Sequence, residues 1–508
     1  MASFQPPLLI LHHLTIFLIF FFFLLLLTIT KNADAVLSHH PPEKNKATEL
    51  FSLKKFPWMQ QQQQGSKEST LCVPQKSRAE NGAIILEMRH RENYSGIKGE
   101  YKQRQQKQLQ ADKIRVQSIQ KRIKKLISSQ VVKADAVSPQ TRIPITSGVK
   151  LQTLNYIITA TFGDRNLTVI VDTGSDLTWI QCQPCKSCYN QPEPLFNPSL
   201  SPSYESIPCN SSTCKTLEFA TGNMGSCGRT NTAACNYMVS YGDGSYTRGQ
   251  LGKERLILGT TPIDNFVFGC GRNNKGLFGS AAGLMGLGRS DLSLISQTYD
   301  QFGGIFSYCL PSTDTEAASG SLILGDDSSV YYKNSTPFSY TRMVQNHQLL
   351  TFYFLNLTGI SIGGVSVSVS SPSFGKGGIL IDSGTVITRL PPTMYRQVKA
   401  EFLKQFSGYE QAPSFSILDT CFNLSTYEEV NIPTIKMKFE GDAELIVDVT
   451  GTFYFAKPDA SQVCLALASL SYEDEIGIIG NYQQRNTRVI YNTKESKLGF
   501  ARETCSFN

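Results

Sequence analysis

The sequence predicts a mainly β protein whose body is built from two duplicated lobes that meet at one site. Three observations lead there. The segment Val171-Asp172-Thr173-Gly174-Ser175 returns in the second half as Ile381-Asp382-Ser383-Gly384-Thr385. Each copy follows an apolar β-branched run, Leu167 to Val171 and Ile379 to Ile381, of the kind that forms a buried strand ending at a glycine turn. Roughly a hundred residues after each copy comes an apolar-apolar-glycine segment, Leu284-Met285-Gly286-Leu287-Gly288 and Ile478-Ile479-Gly480. Duplicated halves of this kind bring their equivalent motifs together at the interface.

The remaining elements follow in order. From Asn155 onward, short apolar runs are broken by Gly, Pro, Asn and Ser, which gives strands and turns. Helices are expected after Asp291 and from Pro392 to Phe406. Residues 146–335 and 336–508 form the two lobes. Ahead of them, Leu14 to Ile29 is almost wholly apolar and Ala33-Asp34-Ala35 has the small-residue pattern of a cleavage site, so residues 1–35 are expected to be a signal peptide. Residues 36–145 are expected to be a basic propeptide, and residues 36–140 carry a net charge of +11, against −4 for residues 141–508. Within this basic leader, Leu109, Val116, Ile119, Ile123, Leu126 and Ile127 recur near helical spacing and predict an amphipathic helix from Glu100 to Ser128. That helix contains the patch Lys121-Arg122-Ile123-Lys124-Lys125.

Compartment can be read from cysteine and asparagine. Twelve of the thirteen cysteines lie between Cys182 and Cys505, an even number that suits a disulfide set in an oxidising environment. Sequons at Asn93, Asn166, Asn210, Asn334, Asn356 and Asn423 agree with passage through the secretory route. The expected destination is extracellular, in the apoplast, with vacuole and plastid as alternatives. Cys182, Cys185 and Cys188 also have metal-like spacing, but export favours disulfides over zinc, and neither metal nor cofactor is expected. His347 is the one histidine of the body, and no Gly-X-Ser-X-Gly elbow accompanies it, which argues against a Ser-His or Cys-His nucleophile.

Two facing carboxyl groups have a chemistry that one lacks. Held close together they cannot both ionise cheaply, so they share a proton and titrate in two separated steps. Between those steps the carboxylate can take a proton from an attacking water, and its protonated partner can polarise the bond under attack. Gly174 and Gly384 let backbone approach the carboxylates. Ser175 and Thr385 are placed to donate hydroxyls to the outer aspartate oxygens, favouring the charged form.

From Asn155 to the C-terminus the chain resembles the pepsin-like aspartic proteases. The run Asp172 to Trp179, the cysteines 182, 185 and 188, and Tyr241-Gly242-Asp243-Gly244-Ser245 resemble the plant nepenthesin-type branch and its chloroplast-nucleoid relatives. Too few residues follow Asp382 to hold the saposin-like insert of typical plant vacuolar members. The resemblance implies a bilobal fold with Asp172 and Asp382 catalytic at the bottom of a cleft between the lobes. It also implies that Thr173 and Ser383 bond across the lobe boundary, that Tyr241 and Gly242 belong to a hairpin flap over substrate, and that Trp179 stands behind the flap. The preferred disulfides are Cys421 with Cys464 and, by resemblance, Cys270 with Cys505.

The leading expectation is therefore a secreted aspartic endopeptidase, made as a zymogen whose basic leader covers an acidic cleft and leaves at acid pH. It would act on protein or peptide substrates and be monomeric when mature. Two other readings stand beside it: a non-catalytic binding or inhibitor protein on the same fold, as in plant xylanase inhibitors, and weak DNA binding through the basic leader.

Overall fold

A computed structural model describes residues 47–53, 76–80, 82–90, 101–129, 156–227, 233–241, 245–276, 278–312, 319–326, 337–345, 349–367 and 378–505. The expected signal peptide, Gly242, His347 and the sequons at Asn93 and Asn334 lie outside these residues. Ala47–Asn508 forms one compact unit.

Strands dominate both lobes, and the duplication is visible in their pairing. In the first lobe Tyr156–Phe162 runs antiparallel to Arg165–Asp172, so Asp172 is the last residue of its strand. The strand Gly283–Gly286 lies parallel to it, with Met285 beside Val171 and Gly286 beside Asp172. In the second lobe Ile379–Ile381 has the equivalent parallel partner, with Leu380 beside Ile478 and Ile381 beside Ile479. Each apolar-glycine strand also pairs antiparallel with the strand that leaves the motif, Leu284 with Trp179 and Arg389 with Ile478. The repeated sequence segments are therefore equivalent parts of two similar layers.

A floor of strands joins the lobes: Ile305–Cys309, Ser319–Leu324, Thr487–Asn492 and Lys497–Arg502, paired in sequence and with one another. Aromatic rings stiffen it. Phe306 stacks on Tyr491 at 4.4 Å, Tyr353 meets Tyr491 edge-on at 4.6 Å, and the Tyr353 hydroxyl donates to the Leu287 carbonyl at 2.8 Å. Short helices Leu294–Gln297 and Tyr299–Phe302 follow Asp291, and Pro392–Gln405 buries Met394, Tyr395, Val398 and Phe402 on one face, with its proline near the start where no amide partner is lost.

The basic leader is woven into this body. Thr48–Ser52 pairs with Glu429–Pro433, and Ala83–His90 pairs with both Ser319–Leu324 and the start of Tyr156–Phe162. Ala83 to Met88 is buried on both faces, which explains the continuous apolar composition of Ala83-Ile84-Ile85-Leu86. The expected helix spans Tyr101–Ser129. Leu109, Val116, Ile119 and Ile123 are buried as the spacing requires, whereas the side chains of Leu126 and Ile127 lie outside the described ones.

Disulfides join Cys182–Cys270, Cys185–Cys188, Cys209–Cys227, Cys214–Cys235, Cys309–Cys505 and Cys421–Cys464. The cysteines with metal-like spacing are thus consumed by bonds. The expected pairing of Cys270 with Cys505 is corrected. Parallel pairing sets Cys270 beside Ile180, two residues from Cys182, and so hands Cys270 a nearer partner within its own lobe. Cys505 follows the last floor strand, Lys497–Arg502, and reaches Cys309 at the end of Ile305–Cys309, which lies on the other side of Thr487–Asn492.

Candidate active site at the lobe seam

The two aspartate loops face each other with near two-fold regularity. Gly174 N–H donates to Asp172 Oδ1 and Gly384 N–H to Asp382 Oδ1, both at 2.9 Å. Ser175 Oγ donates to Asp172 Oδ2 at 2.9 Å and Thr385 Oγ1 to Asp382 Oδ2 at 2.6 Å. Across the seam, Ser383 N–H donates to Thr173 Oγ1 at 2.9 Å and Thr173 N–H to Ser383 Oγ at 3.2 Å. Asn481 ties the second loop further by donating to the Ser383 carbonyl at 3.0 Å.

The glycines are required by this approach. A Cβ on Gly174 would stand 2.8 Å from Asp382 Oδ1, and one on Gly384 would stand 2.4 Å from Asp172 Oδ1. Each loop's glycine therefore makes room for the other loop's carboxylate. Both aspartates are 0% exposed.

Between them sits a cation from the basic helix. Arg115 Nη2 donates to Asp172 Oδ1 at 2.8 Å and to Asp382 Oδ2 at 2.9 Å, and Arg115 Nη1 and Nε add bonds of 3.3 Å to Asp172 Oδ2 and Asp382 Oδ2. Burial pushes the Asp172 carboxyl up, but the Arg115 charge and its hydrogen bonds outweigh burial and hold it below the usual carboxylate range. For Asp382 burial wins over Arg115, helped by the Asp172 charge, and the group is raised. Burial opposes the charge on Arg115, yet the two carboxylates hold its guanidinium firmly protonated.

Flanking contacts complete the cleft. Trp179 Nε1 donates to the Tyr241 hydroxyl at 2.8 Å, and Phe278 meets both rings edge-on. Tyr241 leads out of the strand Asn236–Ser240, and its N–H donates to the Ser245 carbonyl at 2.8 Å, closing the hairpin with Tyr246–Leu258. A cavity beside Arg115 is lined by Arg122, Asp172, Asp176, Leu177 and Tyr241. Burial raises the Asp176 carboxyl to about 6 despite the nearby Arg122 charge and the Ser290 amide.

Sequence reasoning placed both aspartates, their hydroxyl and glycine partners, Tyr241 and Trp179, and the structure brings all of these to one seam. It missed Arg115 and the buried Asp112. Their signal is a polar stripe: Gln108, Asp112 and Arg115 share a face with Ile119, and a charge set into an apolar helix face has to meet an opposite charge on the body.

A bilobal β fold with paired Asp-Thr/Ser-Gly loops hydrogen-bonded across one seam defines the pepsin-like class of aspartic peptidases. Comparison with known proteins narrows the class. Family models described as xylanase inhibitor N-terminal and C-terminal match residues 156–326 and 352–502. An aspartyl protease family protein of Arabidopsis thaliana is 42% identical over 402 residues, covering 78% of this chain and 82% of the relative. Aspartic proteinase nepenthesin-1 of Nepenthes gracilis is 38% identical, covering 69% of this chain and 78% of its own. The soybean basic 7S globulin shares the fold, with a TM-score of 0.55 at 21% identity over 70% of this chain and 95% of that one. The chain belongs to the plant aspartyl protease family and is an aspartic-type endopeptidase.

Proposed function

We propose that this endopeptidase is made as a secreted zymogen and hydrolyses peptide bonds at acid pH with water activated between Asp172 and Asp382. The observation that carries the reading is the Arg115 guanidinium, which occupies the position between the two carboxylates where a scissile peptide and its attacking water would have to go. While it sits there, both aspartates are engaged by a cation and the cleft is filled by the helix Tyr101–Ser129. Once it leaves, the carboxylates face each other without a counter-ion, and one of them must take up a proton. The shared proton then supports the mechanism: the charged aspartate accepts a proton from water as it attacks, and the neutral one donates to the developing oxyanion and later to the leaving amine.

Acid weakens the lock because it removes the charges that hold it. The groups facing the helix are Asp172 and Asp382 at Arg115, Asp176 and Tyr241 near Arg122, Asp474 at Lys124, and Arg389 at Asp112. Protonating the dyad removes the buried charges opposite Arg115. Export is supported by the disulfide set and by Asn166, Asn210 and Asn356, which are exposed, with Asn423 half-buried. Among the described residues no helix is long and apolar enough to cross a membrane. DNA binding draws no support from the helix, since Arg122 donates to the Ala220 carbonyl at 3.3 Å and Lys124 pairs with Asp474 at 3.2 Å.

Incubating the purified full-length chain at pH 4 and pH 7 tests the proposal. The expected result is loss of residues up to the 130–155 region and appearance of peptide cleavage at pH 4, blocked by a statine inhibitor. An intact chain that cleaves nothing at pH 4 overturns it.

A further inference from the structure

One turn before Arg115, the helix makes a second buried polar contact with the C-terminal lobe that the dyad does not need. Asp112 Oδ1 accepts from the Val386 N–H at 2.6 Å, and its Oδ2 accepts from the Ile387 N–H at 3.2 Å and from Arg389 Nη2 at 2.7 Å. Asp112 is 0% exposed and Arg389 3%. Three donors thus converge on one carboxylate, which comes from a different part of the chain than the donors themselves.

The position of these donors is informative. Val386 and Ile387 directly follow Thr385, whose hydroxyl holds Asp382, so their amides stand on the cleft wall beside the dyad. They are directed at the space that the helix occupies. Within its own lobe the Arg389 guanidinium donates to the Ile387 carbonyl at 3.3 Å, a weak bond to a near neighbour. Arg389 has no carboxylate of the lobe as its ion-pair partner among the described residues. A buried ion pair broken from one side leaves an uncompensated charge, which is strongly unfavourable until another anion or water replaces the lost partner.

We infer that Arg389 and the amides of Val386 and Ile387 form a carboxylate-recognising subsite of the cleft, filled by Asp112 in the precursor and by an acidic side chain of the peptide substrate after activation. The inference rests on the proposed departure of the helix from the cleft. Asp112 is then a built-in stand-in for substrate, one turn from the arginine that blocks catalysis. Arg389 is a binding and specificity residue, not a catalytic one, because it reaches the substrate carboxylate and not the scissile bond. A fork of guanidinium and amide donors suits a carboxylate better than a neutral amide, since hydrogen bonds to a charged acceptor are about twice as strong.

The test uses full-length protein after acid incubation and a set of peptides with C-terminal amides, in which Glu or Gln is placed in turn at each position flanking one cleavable bond. The expected result is a kcat/KM ratio of about tenfold or more in favour of Glu at one position, equivalent to ~1.4 kcal/mol. Arg389→Gln should remove that ratio and Arg389→Lys should keep part of it. Equal cleavage of Glu and Gln peptides at every position by the wild-type chain overturns the subsite while leaving the peptidase reading intact, and this arm does not depend on any variant folding. Cleavage of no peptide at all removes the peptidase reading and the subsite with it. A preference that appears only when the amide is replaced by a free C-terminal acid shows recognition of a chain end and overturns the side-chain assignment.

Discussion

The two lobes carry the same aspartate loop but hold the basic helix in different ways. The N-terminal lobe meets it with charge: Asp172 takes the shorter bond from Arg115 Nη2, and Asp176 lies near Arg122. The C-terminal lobe meets it with a series of directed contacts, from Tyr454 to Gln105, from Val386, Ile387 and Arg389 to Asp112, and between Gln120 and Ile476 at 2.6 and 3.0 Å. The difference teaches that duplication can keep the two aspartate loops alike while the rest of their contact with the helix is unequal. Arg115 is gripped by one carboxylate from each lobe, and the C-terminal lobe adds a cradle of amide and side-chain donors around Asp112.

The comparison breaks most completely at the dyad. On the proposed mechanism Asp172→Asn and Asp382→Asn should each lower kcat by at least about 10³-fold in peptide assays, because either change would remove one half of the proposed proton-sharing pair. Their effects on the helix should differ: Asp172→Asn should expose it to limited proteolysis at neutral pH more than Asp382→Asn, since Asp172 is the group that Arg115 holds charged. Next comes Arg115→Met. It leaves two buried carboxylates without a counter-ion, a loss of about 3–5 kcal/mol in the docked state. The expected outcome is helix release and peptide cleavage at a higher pH than in the parent.

A pH titration of helix docking sharpens the same contrast. Because the Asp172 pKa is depressed while the helix is docked, its contribution is complete above the ordinary carboxylate range and is lost as pH falls through the depressed value. Asp382, raised in the same state, has the opposite sign and contributes to docking at low pH, so the acid-driven loss comes from Asp172. Docking should therefore persist at neutral pH and weaken progressively through the acid range, measured by protease protection of residues 101–129. Removing Ser383 Oγ in Ser383→Ala should cost about 1–3 kcal/mol in denaturant unfolding, as Thr173 N–H loses its buried acceptor across the seam. The smallest effect is expected for Tyr241→Phe, about 0.5–1.5 kcal/mol, read as weaker peptide binding when Trp179 Nε1 loses its acceptor.

What the sequence revealed and what it hid have separate physical causes. The loops at Asp172 and Asp382 are legible because their hydrogen-bonding residues are contiguous in sequence, and the repeat at Gly286 and Gly480 is legible because equivalent strand neighbours recur. The helix limits followed from apolar spacing that the body confirms at Leu109, Val116, Ile119 and Ile123. Arg115 was hidden because its partners lie 57 and 267 residues away. No local pattern states which arginine of a basic helix points inward. The cysteine pairing of Cys270 failed for a related reason: strand register decides it, and register across parallel strands is not written in spacing. The strands contributed by Thr48–Ser52 and Ala83–His90 were overshadowed by the charge around them.

The bond between Cys309 and Cys505, 196 residues apart, encloses the second lobe in a covalent ring. A protease that nicked any exposed turn inside that ring would produce a two-chain molecule without shedding either piece. Such a clipped form would migrate as one species until a reducing agent separated it. The second aspartate loop would stay tethered to the first through the disulfide where the cut falls before Asp382, and through uncut backbone where it falls after.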